Sequence, residues 1–122
     1  MTKIAIIEDD QAIAHMYRLK FEADGYIVQL AENGKIGLDL VESMKPDIVL
    51  LDIMMPEMTG DEMLAILRQT PFGKNVKVII LTNMGEQEAP ASLKDLEVSA
   101  FIVKAEMTPR QVAELVKETL TK

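Results

Sequence analysis

Short apolar runs alternate with longer amphipathic segments along the whole chain, and this alternation restricts the fold more than any other feature of the sequence. The runs are rich in Ile, Val and Leu, as expected for strands that are buried on both faces of a parallel sheet. Each run is followed by a segment with the apolar periodicity of a helix. Five strand–helix units are therefore predicted, with strands at residues 4–7, 27–31, 48–51, 76–81 and 100–103.

Capping residues predict where the helices begin and end. The first helix is expected to follow the N-cap Asp10 and to end at Gly25. Met16 in this helix and Ile36 in the second are expected on the buried faces. The remaining helices are predicted after Asn33 and Gly34, from Gly60, within residues 85–98, and from the N-cap Thr108.

The alternation favours an α/β fold with a doubly wound, flavodoxin-like sheet of (βα)5 type. Crossovers between parallel strands are right-handed and helices must cover both faces of the sheet, which together favour the strand order 2-1-3-4-5. The chain has 122 residues, of which 48% are apolar, and this is enough for one packed core. We therefore expect a single domain over residues 1–122.

Composition argues against several classes of protein. The net charge of −7 disfavours direct binding of nucleic acid or anionic lipid. The absence of cysteine excludes disulfides, a thiol nucleophile and a thiolate metal site, and it fits a reducing cytoplasm. The N-terminus lacks the pattern of a signal peptide, and no apolar run is long enough to cross a membrane. A cytoplasmic protein without membrane insertion is therefore expected.

Polar side chains follow four of the five predicted strands. Glu8 and Asp9 follow the first strand, Asp52 the third, Thr82 the fourth and Lys104 the fifth. In a doubly wound sheet the carboxyl ends of the strands share one edge, where ligands bind. One such residue alone would be an ordinary cap or surface charge. The joint pattern favours a site that combines carboxylates, a hydroxyl and an ammonium group.

The chemistry of these residues favours phosphoryl transfer with a divalent metal. Clustered carboxylates repel one another unless a cation lies among them, and oxygen ligands without His or Cys suit Mg²⁺ or Ca²⁺. Asp52 can itself be a nucleophile that forms an aspartyl phosphate. Lys104 and the Thr82 hydroxyl would then balance charge on the transferring group.

The chain resembles the receiver domain of two-component response regulators over nearly its whole length. Residues 52–60 match the phosphorylation-site loop of that family, with Asp52, Met55-Pro56 and Gly60 at the expected spacing. The family's acidic pair, hydroxyl, lysine and switch aromatic match Glu8, Asp9, Thr82, Lys104 and Phe101.

The resemblance implies a role for each of these residues. Asp52 accepts a phosphoryl group, and Thr82 and Lys104 hold its oxygens. Thr82 and Phe101 then turn inward as the switch residues, which biases a two-state equilibrium. This change reshapes the face formed by the fourth helix, the fifth strand and the fifth helix, where partners usually dock. The implied Mg²⁺ ligands are Asp9, Asp52 and the main-chain carbonyl of Met54, with Glu8 acting through water.

The resemblance also implies partners and a mode of action. The phosphoryl donor is a sensor histidine kinase or a histidine phosphotransfer protein, and the output passes to a further, unspecified protein. The domain assists its own phosphorylation and slow dephosphorylation without being an enzyme in the usual sense. We expect a stand-alone receiver domain.

Three positions depart from the family pattern. Ala105 stands where Pro usually follows the lysine, and a trans peptide bond is expected there because a cis bond at a non-proline residue costs about 2.5–4 kcal/mol. Asn83 stands where a small residue is usual, and Pro90 lies within the fourth predicted helix. Ala105 and Asn83 keep a second function open, that of an interaction module that retains the fold but does not switch by phosphorylation.

Two further classes of protein fit the sequence less well. A phosphatase of the haloacid dehalogenase type needs a second Asp two residues after its nucleophile, whereas this chain has Met54, which cannot transfer a proton. A flavin or dinucleotide carrier needs a turn rich in Gly, Ser or Thr after the first strand. The turn here is Glu8-Asp9-Asp10, which would repel phosphate without a metal.

Overall fold

A five-stranded parallel sheet lies at the centre of the computed structural model, which describes residues 1–83 and 91–121. The strands are β1 (Lys3–Ile7), β2 (Ile27–Ala31), β3 (Ile48–Asp52), β4 (Lys77–Thr82) and β5 (Ala100–Val103). Their spatial order is β2-β1-β3-β4-β5, which confirms the doubly wound arrangement predicted from the sequence. The order reverses between β1 and β3, and the carboxyl end of this strand pair is where such sheets bind ligands.

Helices flank the strands in the described part of the chain. They are α1 (Gln11–Ala23), α2 (Gly34–Met44), α3 (Gly60–Leu67), a 3₁₀ helix (Ala91–Asp95) and α4 (Pro109–Leu120). Asp10 accepts hydrogen bonds from two main-chain N–H groups at the start of α1, and Asn33 accepts one at the start of α2. Thr108 and Gln111 form a reciprocal capping box at α4. None of the described helices is long and apolar enough to cross a bilayer.

The fourth predicted helix differs from the prediction where the structure describes it. Residues 91–95 form a 3₁₀ helix rather than an α-helix. Glu97 has a left-handed backbone with a φ of 55°, which ends the helical geometry before β5. The predicted α-helix is therefore wrong for residues 91–98, where the structure has a 3₁₀ helix that ends at Asp95. Residues 84–90, which include Pro90, lie outside the described residues.

Two apolar layers cover the sheet because successive side chains of each strand point to opposite faces. The α2–α3 layer includes Ile7, Val49, Leu51, Val78 and Ile80 from the strands, and Val41, Met63, Leu64 and Leu67 from the helices. The α1–α4 layer includes Ile4, Ile6, Leu50, Ile79 and Leu81 from the strands, and Tyr17, Phe21, Val112 and Val116 from the helices. The three central strands therefore contribute to both layers.

Met16 and Ile36 are exposed, contrary to the prediction. Their exposed fractions are 41% and 44%. In α1 the buried positions are Ala14, Tyr17 and Phe21, which are three and four residues apart, and Met16 lies off this line. The apolar stripe in the sequence is thus wider than the part of the helix that contacts the sheet.

Candidate functional site

Residues from four strands meet at the carboxyl edge of the sheet. Glu8 follows β1, Asp52 is the last residue of β3, Thr82 is the last residue of β4, and Lys104 follows β5. These four strands are consecutive neighbours with parallel pairing, so their carboxyl ends lie side by side. The topology therefore assembles at one edge the polar residues that are scattered along the sequence.

Lys104 forms ion pairs with two carboxylates at the centre of this edge. Its Nζ lies 2.6 Å from Oε2 of Glu8 and 3.4 Å from Oδ2 of Asp52. The exposed fractions of the three side chains are 8% for Lys104, 1% for Glu8 and 5% for Asp52. One buried cation thus faces two buried anions, which leaves a net negative charge when all three groups are ionised.

Burial is the main influence on the ionisation of this cluster. It raises the pKa of Glu8 to about 7; the hydrogen bond to Lys104 opposes this rise and the charge of Asp52 adds to it. Burial also raises the pKa of Asp52, although attraction to Lys104 opposes the change. For Lys104, burial favours the neutral form, but the interactions with both carboxylates are stronger and raise its pKa.

Three carboxylates are placed where they could hold a divalent cation. One oxygen each from Glu8, Asp9 and Asp52 lie within 4.8 Å of one another, with Asp9 exposed and the other two buried. Oε2 of Glu8 is paired with the Lys104 ammonium group. Carboxylate oxygens without nitrogen or sulfur ligands suit Mg²⁺, which binds one or two carboxylates and keeps several waters. The residues present therefore fit the predicted ion.

The loop after β3 holds the Asp52 side chain in place. The N–H of Met54 donates to Oδ1 of Asp52 at 3.3 Å, and the N–H of Gly60 donates to the carbonyl of Ile53 at 2.8 Å. Position 60 requires glycine, because a Cβ there would collide with the main-chain oxygen of Asp52. The first residue of α3 is thus in direct contact with the backbone that carries Asp52.

Thr82 and Phe101 lie on β4 and β5, on one side of the Asp52 strand. Thr82 is fully buried, and its carbonyl accepts a hydrogen bond from the N–H of Lys104 at 2.8 Å. Phe101 is partly buried and packs against the α2–α3 layer. Asn83, the next residue after Thr82, is exposed. The peptide bond between Lys104 and Ala105 is trans, as predicted.

Comparison with known proteins decides the family. The family model described as "Response regulator receiver domain" matches residues 4–117. The chain belongs to this receiver family. The match extends from β1 into α4 and includes the whole sheet edge described above. The resemblance on which the sequence prediction rested is therefore confirmed.

Individual relatives agree with this assignment. "Response regulator MprA" of Mycolicibacterium vanbaalenii is 39% identical over 80 residues, which are 66% of this chain and 34% of that protein. A CheY-like response regulator receiver domain protein from Methanospirillum hungatei JF-1 has a TM-score of 0.90 and 29% identity, with 99% of this chain and 94% of that chain covered. The response regulator TrrA from Thermotoga maritima, in complex with Mg²⁺–BeF, has a TM-score of 0.85 and 28% identity, with 98% and 99% covered. The chain spans about a third of the length of the first curated relatives it matches.

The structure brings together most of the residues predicted for the receiver site. Glu8, Asp9, Asp52 and Lys104 form one cluster, and Met54 contacts Asp52 through its N–H group. One conspicuous side chain, that of Arg68, was not predicted. It lies near the amino ends of β4 and β5, and the hydrogen bonds that it makes to described residues all go to main-chain carbonyls, which leave no mark in the sequence.

Proposed function

We propose that this receiver domain is a phosphorylation switch in which Asp52 accepts a phosphoryl group. The observation that carries the proposal is the buried Lys104 ammonium between Glu8 and Asp52, with the Asp9 carboxylate beside them. This arrangement supplies a nucleophilic carboxylate, a fixed positive charge and a set of oxygen ligands in one place. Such a combination has no evident use in a domain that only packs against partners.

In the proposed reaction, an oxygen of Asp52 attacks the phosphorus atom of the donor. The bond from phosphorus to the donor's leaving group breaks, and the leaving group departs with the electron pair. The N–H of Met54 holds the other Asp52 oxygen, and Lys104 pairs with a phosphoryl oxygen while retaining its contact with Glu8. The Thr82 hydroxyl donates to another phosphoryl oxygen.

The proposal includes Mg²⁺ at the acidic cluster. Asp9, Asp52 and the Met54 carbonyl would bind the ion directly and Glu8 would act through water. When bound, the ion neutralises charge on the transferring group. The Thermotoga maritima relative forms a complex with Mg²⁺–BeF, which supports Mg²⁺ as the ion. The fit of the three carboxylates to a hard divalent cation supports it independently.

The proposed output follows from the position of the switch residues. Once phosphorylated, the domain favours a state in which Thr82 and Phe101 have moved inward. Phe101 lies on β5, at the edge of the sheet and between the 3₁₀ helix and α4 in the sequence. We infer that the surface of the 3₁₀ helix, β5 and α4 docks the target protein, and we call it the output surface.

The proposed biological setting is a cytoplasmic two-component relay. A sensor histidine kinase or a histidine phosphotransfer protein would donate the phosphoryl group, and an unspecified protein would receive the signal. Residues 1–122 would form one receiver domain that switches rather than turns over substrate. Nucleic acid is not a proposed partner, since the net charge of −7 opposes contact with phosphates.

Intact-mass measurement tests the proposal. The chain is incubated with acetyl phosphate and Mg²⁺, and we expect a gain of one phosphoryl group that EDTA prevents. Asp52→Asn should abolish the gain, while Asp39→Asn, which changes an exposed carboxylate on α2, should leave it unchanged. No gain in the native chain, together with weak or absent Mg²⁺ binding in a titration, would overturn the phosphorylation proposal. The interaction module without a phosphorylation switch would then be preferred.

A further inference from the structure

Arg68, the residue after α3, joins two loops at the amino end of the sheet. Its Nε donates to the carbonyl of Leu96 at 2.8 Å, and its Nη2 donates to the carbonyl of Glu97 at 3.0 Å. Its Nη1 donates to the carbonyls of Gly73 at 3.0 Å and Val76 at 2.6 Å. One side chain thus connects the segment before β5 with the loop before β4.

The bond geometry requires the planar guanidinium group. Arginine offers five N–H donors in a fixed plane, and here they reach four carbonyl oxygens on two separate segments. A lysine ammonium has three donors around a single atom and cannot span both loops. Burial lowers the pKa of Arg68, but an arginine remains charged at neutral pH.

The segment from residue 91 to residue 99, here the pre-β5 segment, has few other fixed points in the described structure. Leu93 is buried in the α2–α3 layer, and Leu96 and Val98 pack partly against it. The Ser99 N–H bonds to the carbonyl of Val78 at 2.8 Å. Arg68 Nη2 donates to the carbonyl of Glu97, where the segment turns. Glu97 has a left-handed backbone there, a conformation that non-glycine residues seldom adopt.

We propose that Arg68 clamps the pre-β5 segment and so sets the resting conformation of the output surface. α3 begins at Gly60, in contact with the Asp52 backbone, and ends next to Arg68, so one helix separates the site from the clamp. The clamped segment leads directly into the strand that carries Phe101 and ends before Lys104. The clamp itself rests on geometry alone; its importance for signalling rests on the proposed function.

Amide hydrogen exchange measured by NMR tests the clamp. In Arg68→Lys, exchange at the Leu96 and Ser99 amides should become roughly tenfold faster or more, because local opening no longer breaks the full set of charged hydrogen bonds. Exchange at the Ile6 amide, in the central strand β1, should remain unchanged. Arg18→Lys on α1, where the arginine is paired with Glu22, is the matched control and should change neither region. Unchanged exchange in Arg68→Lys, or equal acceleration at Ile6, would overturn the clamp.

A second variant separates the carbonyl bonds from ordinary charge attraction. The Glu97 carboxylate also attracts Arg68, and Glu97→Asn removes it while asparagine tolerates the left-handed backbone. Slow exchange at the Leu96 and Ser99 amides should persist in Glu97→Asn, because the main-chain carbonyl of residue 97 still accepts the hydrogen bond from Arg68. Acceleration equal to that of Arg68→Lys would assign the effect to the carboxylate and overturn the clamp.

The consequence for signalling is measured on the phosphorylated protein. In the native chain, treatment with acetyl phosphate and Mg²⁺ should accelerate exchange in the pre-β5 segment. In Arg68→Lys, the mass gain should be unchanged. Phosphorylation should accelerate amide exchange in the pre-β5 segment less than in the native chain, because the substitution has already released this segment. A normal mass gain with an equal further acceleration would count against the clamp. A native chain that neither gains mass nor binds Mg²⁺ would refute the proposed function, while the unphosphorylated exchange comparison would still decide the clamp.

Discussion

At the scale of single residues, the Glu8–Lys104–Asp52 cluster is costly for the folded chain. Removing charges from water costs several kcal/mol per ion, and one ammonium group cannot compensate fully for two buried carboxylates. The raised pKa of Glu8 results from this unfavourable desolvation, because the folded protein favours the neutral form of the Glu8 carboxyl. A bound cation or a phosphoryl group with its own cation would change this balance, and this is why the cluster suits a switch better than a permanent structural contact.

In metal-free solution, we expect the protein to become less stable as the pH rises from 4.5 to about 7. Burial raises the pKa of Glu8 from 4.5 to about 7, so the folded protein binds this proton more tightly than the unfolded chain does. The stabilisation of the folded state by this tighter proton binding is complete below the pKa of Glu8 in the unfolded chain. It is lost as the pH rises through the pKa of Glu8 in the folded protein. The free energy of unfolding should fall by about 2 kcal/mol across this window. Urea unfolding in EDTA at several pH values measures it.

Glu8→Gln provides the control for this pH dependence, since glutamine does not titrate. The free energy of unfolding of this variant, relative to that of the native protein, should rise with pH over the same interval. Parallel pH profiles for the two proteins would show that Glu8 does not titrate in the folded state as its burial implies.

At the scale of elements, strands and helices could be predicted because local signals agree with the final packing. β2 and β5 have the predicted bounds, β3 extends one residue further, and β4 is shifted by one residue towards its carboxyl end, so that Asp52 and Thr82 are strand residues. The polar residues meet at the carboxyl edge of the sheet because of the strand topology alone. Two contacts could not be predicted: the shorter approach of Lys104 to Glu8, and the bonds of Arg68. Both contacts depend on how far a long side chain extends in the folded structure. The Arg68 bonds also end on main-chain carbonyls, which every residue has, so the sequence does not distinguish the acceptors.

Two adjacent aspartates at the start of α1 should have separate roles. Asp10 accepts hydrogen bonds from the N–H groups of Ala12 and Ile13, so Asp10→Ala should lower the free energy of unfolding by about 1 kcal/mol. Mg²⁺ binding should remain, because the alanine keeps the main-chain N–H that donates to Glu8. Asp9→Ala should leave metal-free stability nearly unchanged and weaken Mg²⁺ binding by roughly tenfold or more.

Urea unfolding in EDTA and a Mg²⁺ titration on the same samples distinguish these roles. Each variant serves as the control for the other, since the two positions are neighbours in the chain. Weakened Mg²⁺ binding in Asp10→Ala, with Asp9→Ala unaffected, would show that the metal is assigned to the wrong carboxylate.

At the scale of the whole molecule, the two apolar layers share their central strands. Leu50 and Leu51 are consecutive residues of β3, but Leu50 lies in the α1–α4 layer and Leu51 in the α2–α3 layer. If the central strands separated in one layer, the apolar side chains that the same strands contribute to the other layer would be exposed as well. We therefore expect both layers to unfold in one cooperative transition, as is usual for single domains of this size.

The two tyrosines allow this cooperativity to be tested from one side of the sheet. Tyr17 and Tyr26 both belong to the α1–α4 layer, so tyrosine fluorescence reports on that layer, whereas far-UV circular dichroism reports on the whole backbone. Leu51→Ala creates a cavity in the opposite layer and should lower the free energy of unfolding by about 2–5 kcal/mol. The urea midpoints from the two signals should coincide in the native protein and shift together in the variant. If the fluorescence midpoint stayed at its native value while the circular dichroism midpoint fell, the layers would be separate folding units.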